Sequence, residues 1–487
     1  MPKSSSQTPS ATSSVDKAAV SQRIPVVQIA TPSTKIHVRE QKGVFQRLRQ
    51  HSNTLLIAIF FLIPFINYQG RQAILFDVTE QQFFFFNIIL WPQDFTVLAW
   101  FFMAAAFALF FVTVYWGRVW CGFLCPQTAW TFIYMWVEAK VEGNHHHRAA
   151  LDKAPWSLSK VRKRVTKHAV WIVFALLTGC GFIGYFMPAR ELYVDIFSMS
   201  SGFWTGTWVW FFAICTYLNA GWMREMMCLH CCPYSRFQAV MFDANTKTVS
   251  YDAERGESRG PRKRSQKTEL GDCVDCNLCV DVCPTGIDIR NGLQYECINC
   301  GACVDACNQT MEKFGYAPNL ISFTSENALK GQPKASLLSL KSLGYASALL
   351  IMIVLIISDL SHLSHIQLNV IRDRQTLYRQ VGIDQVENSY QLKIRNKTQQ
   401  MAFYQISISN DDPQKQTLQI VTDSLIAIKP AEQLDYPLTL SGRLSNRTSD
   451  STQQTVQFKV TQIQSLENPT PTEPANEISQ TSRFFWP

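Results

Sequence analysis

Apolar residues in this chain are gathered into blocks. Runs at 55–68, 95–116, 169–188, 203–222 and 342–358 are nearly free of charge. They approach the roughly 20 residues that a helix needs to cross a bilayer, so the pattern predicts five transmembrane helices. The first run is short and holds Pro64, which leaves its limits open between His51 and Tyr68. Beyond about 359 the pattern changes to short alternating strands: Tyr390–Ile394, Ala402–Ile408, Thr417–Val421, Leu425–Ile428, Tyr436–Leu440 and Thr455–Val460. Turn residues separate them, which predicts an antiparallel β-sandwich over 361–465. The remainder, 466–487, is rich in Pro, Glu and Thr and reads as a disordered tail. The other expected units are a polar N-terminal segment over 1–50, a four-helix membrane domain over 51–243, a polar Gly/Arg/Lys-rich linker over 244–270 and a fifth membrane helix over 336–360.

Charge orients the helices. Lys and Arg number eight before the first run, nine in 117–167 and fourteen in 223–341, against one each in 70–93 (Arg71) and 189–202 (Arg190). The positive-inside rule then puts the N-terminus and both large loops in the cytoplasm of a bacterial inner-membrane protein, and the sandwich in the periplasm. The net charge of +8 is largely this bias and calls for no nucleic-acid partner. Residues 1–50 lack a compact apolar core of the kind a cleavable signal peptide carries.

All 15 cysteines fall between 121 and 307. Eight of them make one spacing written twice, Cys273-x2-Cys276-x2-Cys279-x3-Cys283 and Cys297-x2-Cys300-x2-Cys303-x3-Cys307. This is the ligand set of two [4Fe–4S] clusters in a ferredoxin domain, here over 271–318. Three cysteines of each run serve one cluster and the fourth crosses to the other. The crossed pattern groups Cys273, Cys276, Cys279 and Cys307, and separately Cys297, Cys300, Cys303 and Cys283. Pro284 follows the first run, whereas Asn308 follows the second. Zinc sites and disulfides are the competing readings. The doubled order weighs against zinc, and a cytoplasmic location weighs against disulfides. The chain is therefore expected to move single electrons.

A second repeat lies at the expected membrane surface. Trp116-x-Arg118-x2-Cys121-x3-Cys125-Pro126-x-Thr128 is echoed by Trp222-x-Arg224-x3-Cys228-x3-Cys232-Pro233-x-Ser235. Two parallel halves would bring both motifs to one face of the bundle. Cys121, Cys125, Cys228 and Cys232 then make a metal-binding set suited to Cu(I) or to Zn(II). Pro126 and Pro233 are expected to open helices, whose N-termini would lower thiol pKa. Residues 131–141 read as an amphipathic interfacial helix. The competing reading is four small buried residues at helix ends. Cys231 is a spare thiol, His230 a weaker ligand candidate and His145–His147 a solvated loop; Cys180 and Cys215 read as packing.

Together WCGFLCP, CLHCCP, the doubled ferredoxin spacing and a β-sandwich tail resemble the CcoG/FixG/RdxA family of cytochrome c oxidase accessory proteins, over roughly residues 40–465. The resemblance implies an immunoglobulin-like fold for the sandwich. It also implies a cytoplasmic-side Cu(II) reductase that hands copper to cbb3-type oxidase assembly factors or copper chaperones, driven by an unidentified electron donor. Two other readings stand beside it: an electron conduit between quinol or a soluble donor and a partner oxidoreductase, and a non-redox scaffold with structural clusters.

Overall fold

The computed structural model describes residues 36–262, 270–332, 340–361, 364–373, 376–410, 418–444, 452–465 and 476–487. Among these, Pro92–Trp116, Leu158–Ile183 and Leu340–Ser361 are long and apolar enough to cross a membrane. That is three helices where the sequence led us to expect five. The first apolar block is only the C-terminal half of helix Val44–Leu62, whose N-terminal half carries Arg47, Arg49 and His51, and a tight turn at Ile63–Phe65 follows it. The fourth is α-helical over Phe203–Thr216 and then widens into a π-helical stretch, Tyr217–Met223.

Contacts sort the connecting segments into two groups. Residues 36–49 clasp the iron–sulfur region: Arg39 N donates to Asp281 O at 2.8 Å, and Gln46 N donates to Asp305 Oδ2 at 2.9 Å. This part of the 1–50 segment is thus structural. The other group gathers around a small antiparallel sheet, Ile74–Asp77, Gln82–Phe85 and Ile88–Leu90. Phe76 N donates to Tyr185 O at 2.8 Å, and Gln72 Nε2 donates to Gly184 O at 2.7 Å. The sandwich rests on the same sheet, with Lys397 Nζ 2.8 Å from both Asp94 carboxylate oxygens and Gln82 Nε2 donating to Ala431 O at 2.8 Å.

The sandwich pairs two sheets. One runs Gln419–Ile420, Gln433–Arg443, Gln385–Asn396, Ile366–Arg372, with Arg379–Val381 also on Gln385–Asn396; the other runs Leu425–Ile428, Ala402–Asn410, Gln453–Ile463, Glu477–Phe485. Alternate residues of each strand point inward, as period-2 geometry requires. Leu392, Ile394, Tyr404, Val456 and Phe458 are accordingly sealed from solvent. The expected disordered tail is overturned over 477–487. Glu477–Phe485 is an edge strand in register with Gln453–Thr461, and Phe484 and Trp486 close the core. The Pro- and Thr-rich residues 466–475 lie outside the described residues.

The linker is also corrected. Thr248–Tyr251 pairs antiparallel with Ile321–Thr324, and Val249 and Tyr251 enter the ferredoxin core, so that unit runs from 248 to 324. A short strand held at both ends of a domain closes it, which a composition reading of a polar stretch misses. Lys263 and Arg264 lie outside the described residues.

Candidate iron–sulfur and thiol site

The two cysteine runs fold as copies of each other. In each, the residues flanking the second cysteine take a left-handed conformation: Asp275 and Asn277 at φ 51° and 57°, Asn299 and Gly301 at φ 53° and 72°. Asn, Asp and Gly tolerate that region best, and the kinked backbone curls the thiols toward a common centre. A helix follows each turn, Leu278–Asp281 and Ala302–Phe314. The second runs on through Asn308 because nothing stops it there, whereas Pro284 would lack the N–H an interior position needs.

Two neighbouring cavities result. Cys273, Cys276, Cys279 and Cys307 line one; Cys283, Cys297, Cys300 and Cys303 line the other, with Cys279 reaching both. Burial pushes the Cys279 and Cys307 thiols up to about 12, with neighbouring thiols adding to the shift. These two thiols therefore hold their protons at neutral pH until a metal displaces them; ligation of iron requires thiolates, so loading expels protons.

The C-x3-C-P motifs meet as expected. Val119–Phe123 is a short helix carrying Cys121, and Pro126 and Pro233 do open helices, Pro126–Glu142 and Pro233–Met241, with Cys125 and Cys232 immediately before them. Thr128 Oγ1 donates to Cys121 O at 2.7 Å, and Ser235 Oγ to Cys228 O at 2.6 Å, so the repeat is reproduced in its hydrogen bonds. Across the repeat, Cys121 Sγ lies 3.1 Å from Gln238 Oε1, and Cys125, Cys228 and Cys232 all lie near enough to raise its pKa. Burial, followed by Cys125, pushes Cys121 up to about 12; burial, followed by Cys125 and Cys232, pushes Cys228 up to about 11. At these two, desolvation outweighs the nearby positive charge of Arg118 and favours the protonated thiol. We expect iodoacetamide to label Cys121 far more slowly than exposed Cys231 at pH 8–9, near the ordinary thiol pKa of about 8.5, as read by mass spectrometry of copper-free protein; equal labelling would refute the burial.

Among the described residues no three His, Cys, Asp or Glu side chains converge on a single-ion position. His230 and Cys231 are exposed, and His145–His147 begins a helix, His145–Lys153, rather than a loop. Residues 131–141 lie within the helix Pro126–Glu142, which exposes Trp136 and Lys140 on one side and on the other buries Glu138 and Glu142 beneath Arg148, Arg164, Lys167 and Arg224.

The ferredoxin unit is seated directly on the first motif. A side chain at Gly122 would come within 2.8–3.0 Å of Ile298 O, Asn299 O and the Cys300 Cα, so only glycine permits the approach. Arg49 Nη1 donates to Cys300 O at 3.3 Å, and Ser52 Oγ donates to Phe123 O at 2.8 Å, pinning both partners to the first helix. Arg118, Arg49 and Asn299 were invisible as site residues in the sequence; only the repeated Trp-x-Arg signalled the first.

The 4Fe-4S dicluster domain family matches residues 223–326, a 4Fe-4S binding domain family matches 98–141, and the family described as the IG-like fold at the C-terminal of FixG matches 356–487. Protein RdxB of Cereibacter sphaeroides is 35% identical over 384 residues, which cover 76% of this chain and 80% of RdxB. The chain belongs to the FixG/RdxA family. Nitrogen fixation protein FixG of Rhizobium meliloti is 41% identical over 299 residues, 60% of this chain, and the match spans only 57% of FixG. Protein RdxA of Cereibacter sphaeroides is 35% identical over 75% of this chain and 80% of its own length. A crystal structure of a FixG-related protein from Vibrio parahaemolyticus is 29% identical and covers 25% of this chain and 97% of that one; its TM-score of 0.21 is too low to speak for the arrangement. This FixG/RdxA-family chain is a membrane iron–sulfur protein of redox electron transfer that carries two [4Fe–4S] clusters and an immunoglobulin-like domain.

Proposed function

We propose that this chain reduces Cu(II) to Cu(I) on the cytoplasmic side of the inner membrane for assembly of cbb3-type cytochrome c oxidase. Cys273, Cys276, Cys279 and Cys307 hold one cluster, and Cys283, Cys297, Cys300 and Cys303 the other. Bound clusters would supply single electrons, replenished by an unidentified electron donor. Cys121, Cys125, Cys228 and Cys232 offer soft sulfur, which favours Cu(I) over Cu(II) and so assists the gain of one electron. The Cys121 and Cys228 thiols, raised by burial, give up their protons as copper binds, so uptake strengthens as pH rises. The observation that carries this reading is the contact of Gly122 with the Cys300 backbone, which leaves no room for a side chain between the thiol motif and a cluster loop.

Topology follows the same reading: five spans, with Phe203–Met223 and the apolar half of Val44–Leu62 as the two shorter ones. The charge bias puts residues 36–49, 117–167 and 223–332 in the cytoplasm. The segments that meet around the 74–90 sheet, the sandwich among them, then lie in the periplasm.

Adding Cu(II) to anaerobic, reduced protein should oxidise the clusters and leave bound Cu(I). In a Cys121→Ser/Cys228→Ser variant both should fall at least tenfold with iron content unchanged. Clusters that stay reduced in the wild-type protein would end the copper reading. The lack of a converged single-ion site among the described residues favours a second reading, a conduit that passes electrons to a partner oxidoreductase. Its mark would be quinone-linked cluster turnover without copper binding.

A further inference from the structure

Arg118 is 2% exposed. Its Nη1 donates to Tyr295 O and its Nη2 to Ser235 O, while its guanidinium lies 4.7 Å from the centroid of the Tyr295 ring. Tyr295 stands two residues before Cys297, and its hydroxyl lies 3.2 Å from Ser235 Oγ, which in turn donates to the carbonyls of Cys228 and Cys232 at 2.6 and 3.0 Å. One buried cation thus joins the Cys297 turn to the second thiol motif. Its charge bears on the Cys297, Cys121 and Cys228 sulfurs.

The counter-charge is the informative part. Arg224, at the equivalent place in the repeat, pairs with Glu138 at 2.6 Å. Among the described residues Arg118 meets no carboxylate, and its Nε is buried with no hydrogen-bond partner. A buried cation held by two carbonyls and one aromatic ring is costly unless negative charge lies close by. The thiolates around a bound cluster, Cys297 among them, would supply that negative charge.

We propose that Arg118 is a positioning residue that serves as the shared counter-ion of the thiol motifs and of the cluster held by Cys283, Cys297, Cys300 and Cys303, making that cluster the easier of the two to perturb from the membrane side. The other cluster has a different cation. Arg290 pairs with Asp275 at 2.5 Å and Asp288 at 2.7 Å beside the exposed Cys276, at a lobe that the thiol motifs do not reach. Electrons are therefore expected to enter on the Cys276 side and to leave beside Arg118.

The inference rests on the ligand sets proposed above, but its test contains no copper, so loss of the copper reading would leave it standing. Anaerobic, cluster-loaded protein is titrated with redox mediators while each cluster is followed by electron paramagnetic resonance. Removal of the charge in Arg118→Gln should disfavour reduction of one cluster about tenfold, a shift of about 59 mV for one electron, and leave the other in place. The shift should survive in a Cys307→Ala background, which keeps only the nearer cluster. Arg118→Lys, which preserves the charge, should titrate near the wild-type protein. Equal shifts in both clusters, no shift, or a shift as large in Arg118→Lys would overturn the proposal. Loss of iron from both variants would do the same, by making Arg118 a brace of the fold.

Discussion

Replacing Cys307 by Ala should empty the cluster of Cys273, Cys276 and Cys279, although Cys307 belongs to the other run. Iron and acid-labile sulfide should fall by about half, because one of two cubanes loses its fourth ligand. The geometry behind this is the shared cavity lined by Cys273, Cys276, Cys279 and Cys307. Paired substitutions give the sharper readout. Adding Cys276→Ala to Cys307→Ala should cost no further iron, whereas adding Cys300→Ala should remove what is left. The reverse order would show that each run serves its own cluster.

A second large effect is expected at Glu138, which is 1% exposed and accepts from Arg224 at 2.6 Å and Arg148 at 3.3 Å, with Lys167 3.6 Å away. Glu138→Gln takes the carboxylate away from Arg224 and Arg148 and leaves Lys167 to Glu142, which binds Lys167 and Arg164 at 2.9 Å each. Removing one partner of a buried network costs about 3–5 kcal/mol, since the remaining charges stay desolvated. The apparent melting midpoint in detergent should drop well below that of wild type, as should the amount recovered in membranes. Glu326→Gln, at a pair whose side chains are 58% and 53% exposed, is the control and should shift stability by no more than about 1 kcal/mol. Comparable losses at the two positions would refute the buried network.

The grouping of the eight cysteines around two cavities was legible because thiolate spacing around a cubane is fixed by bond lengths, and the left-handed residues between the cysteines are small or polar in both copies. Pro126 and Pro233 were legible for a similar reason: a proline after a cysteine permits few backbone paths. What stayed hidden depends on partners far away in the chain. Thr248–Tyr251 reads as polar linker until Ile321–Thr324 pairs with it. Glu138 sits in a stretch of aromatics that looks interfacial, and only the fold brings Arg224 and Arg148 to it. Likewise the first helix looked too short because its polar half is spent on the ferredoxin unit, where Arg49 holds the Cys300 carbonyl.

The edge strand Glu477–Phe485 has a bearing on biosynthesis. Until it leaves the ribosome, the row of backbone groups on Gln453–Thr461 that it covers stays bare, and the slot filled by Phe484 and Trp486 stays open. The nascent sandwich must therefore wait, sticky along one side, for a strand translated after the one it covers.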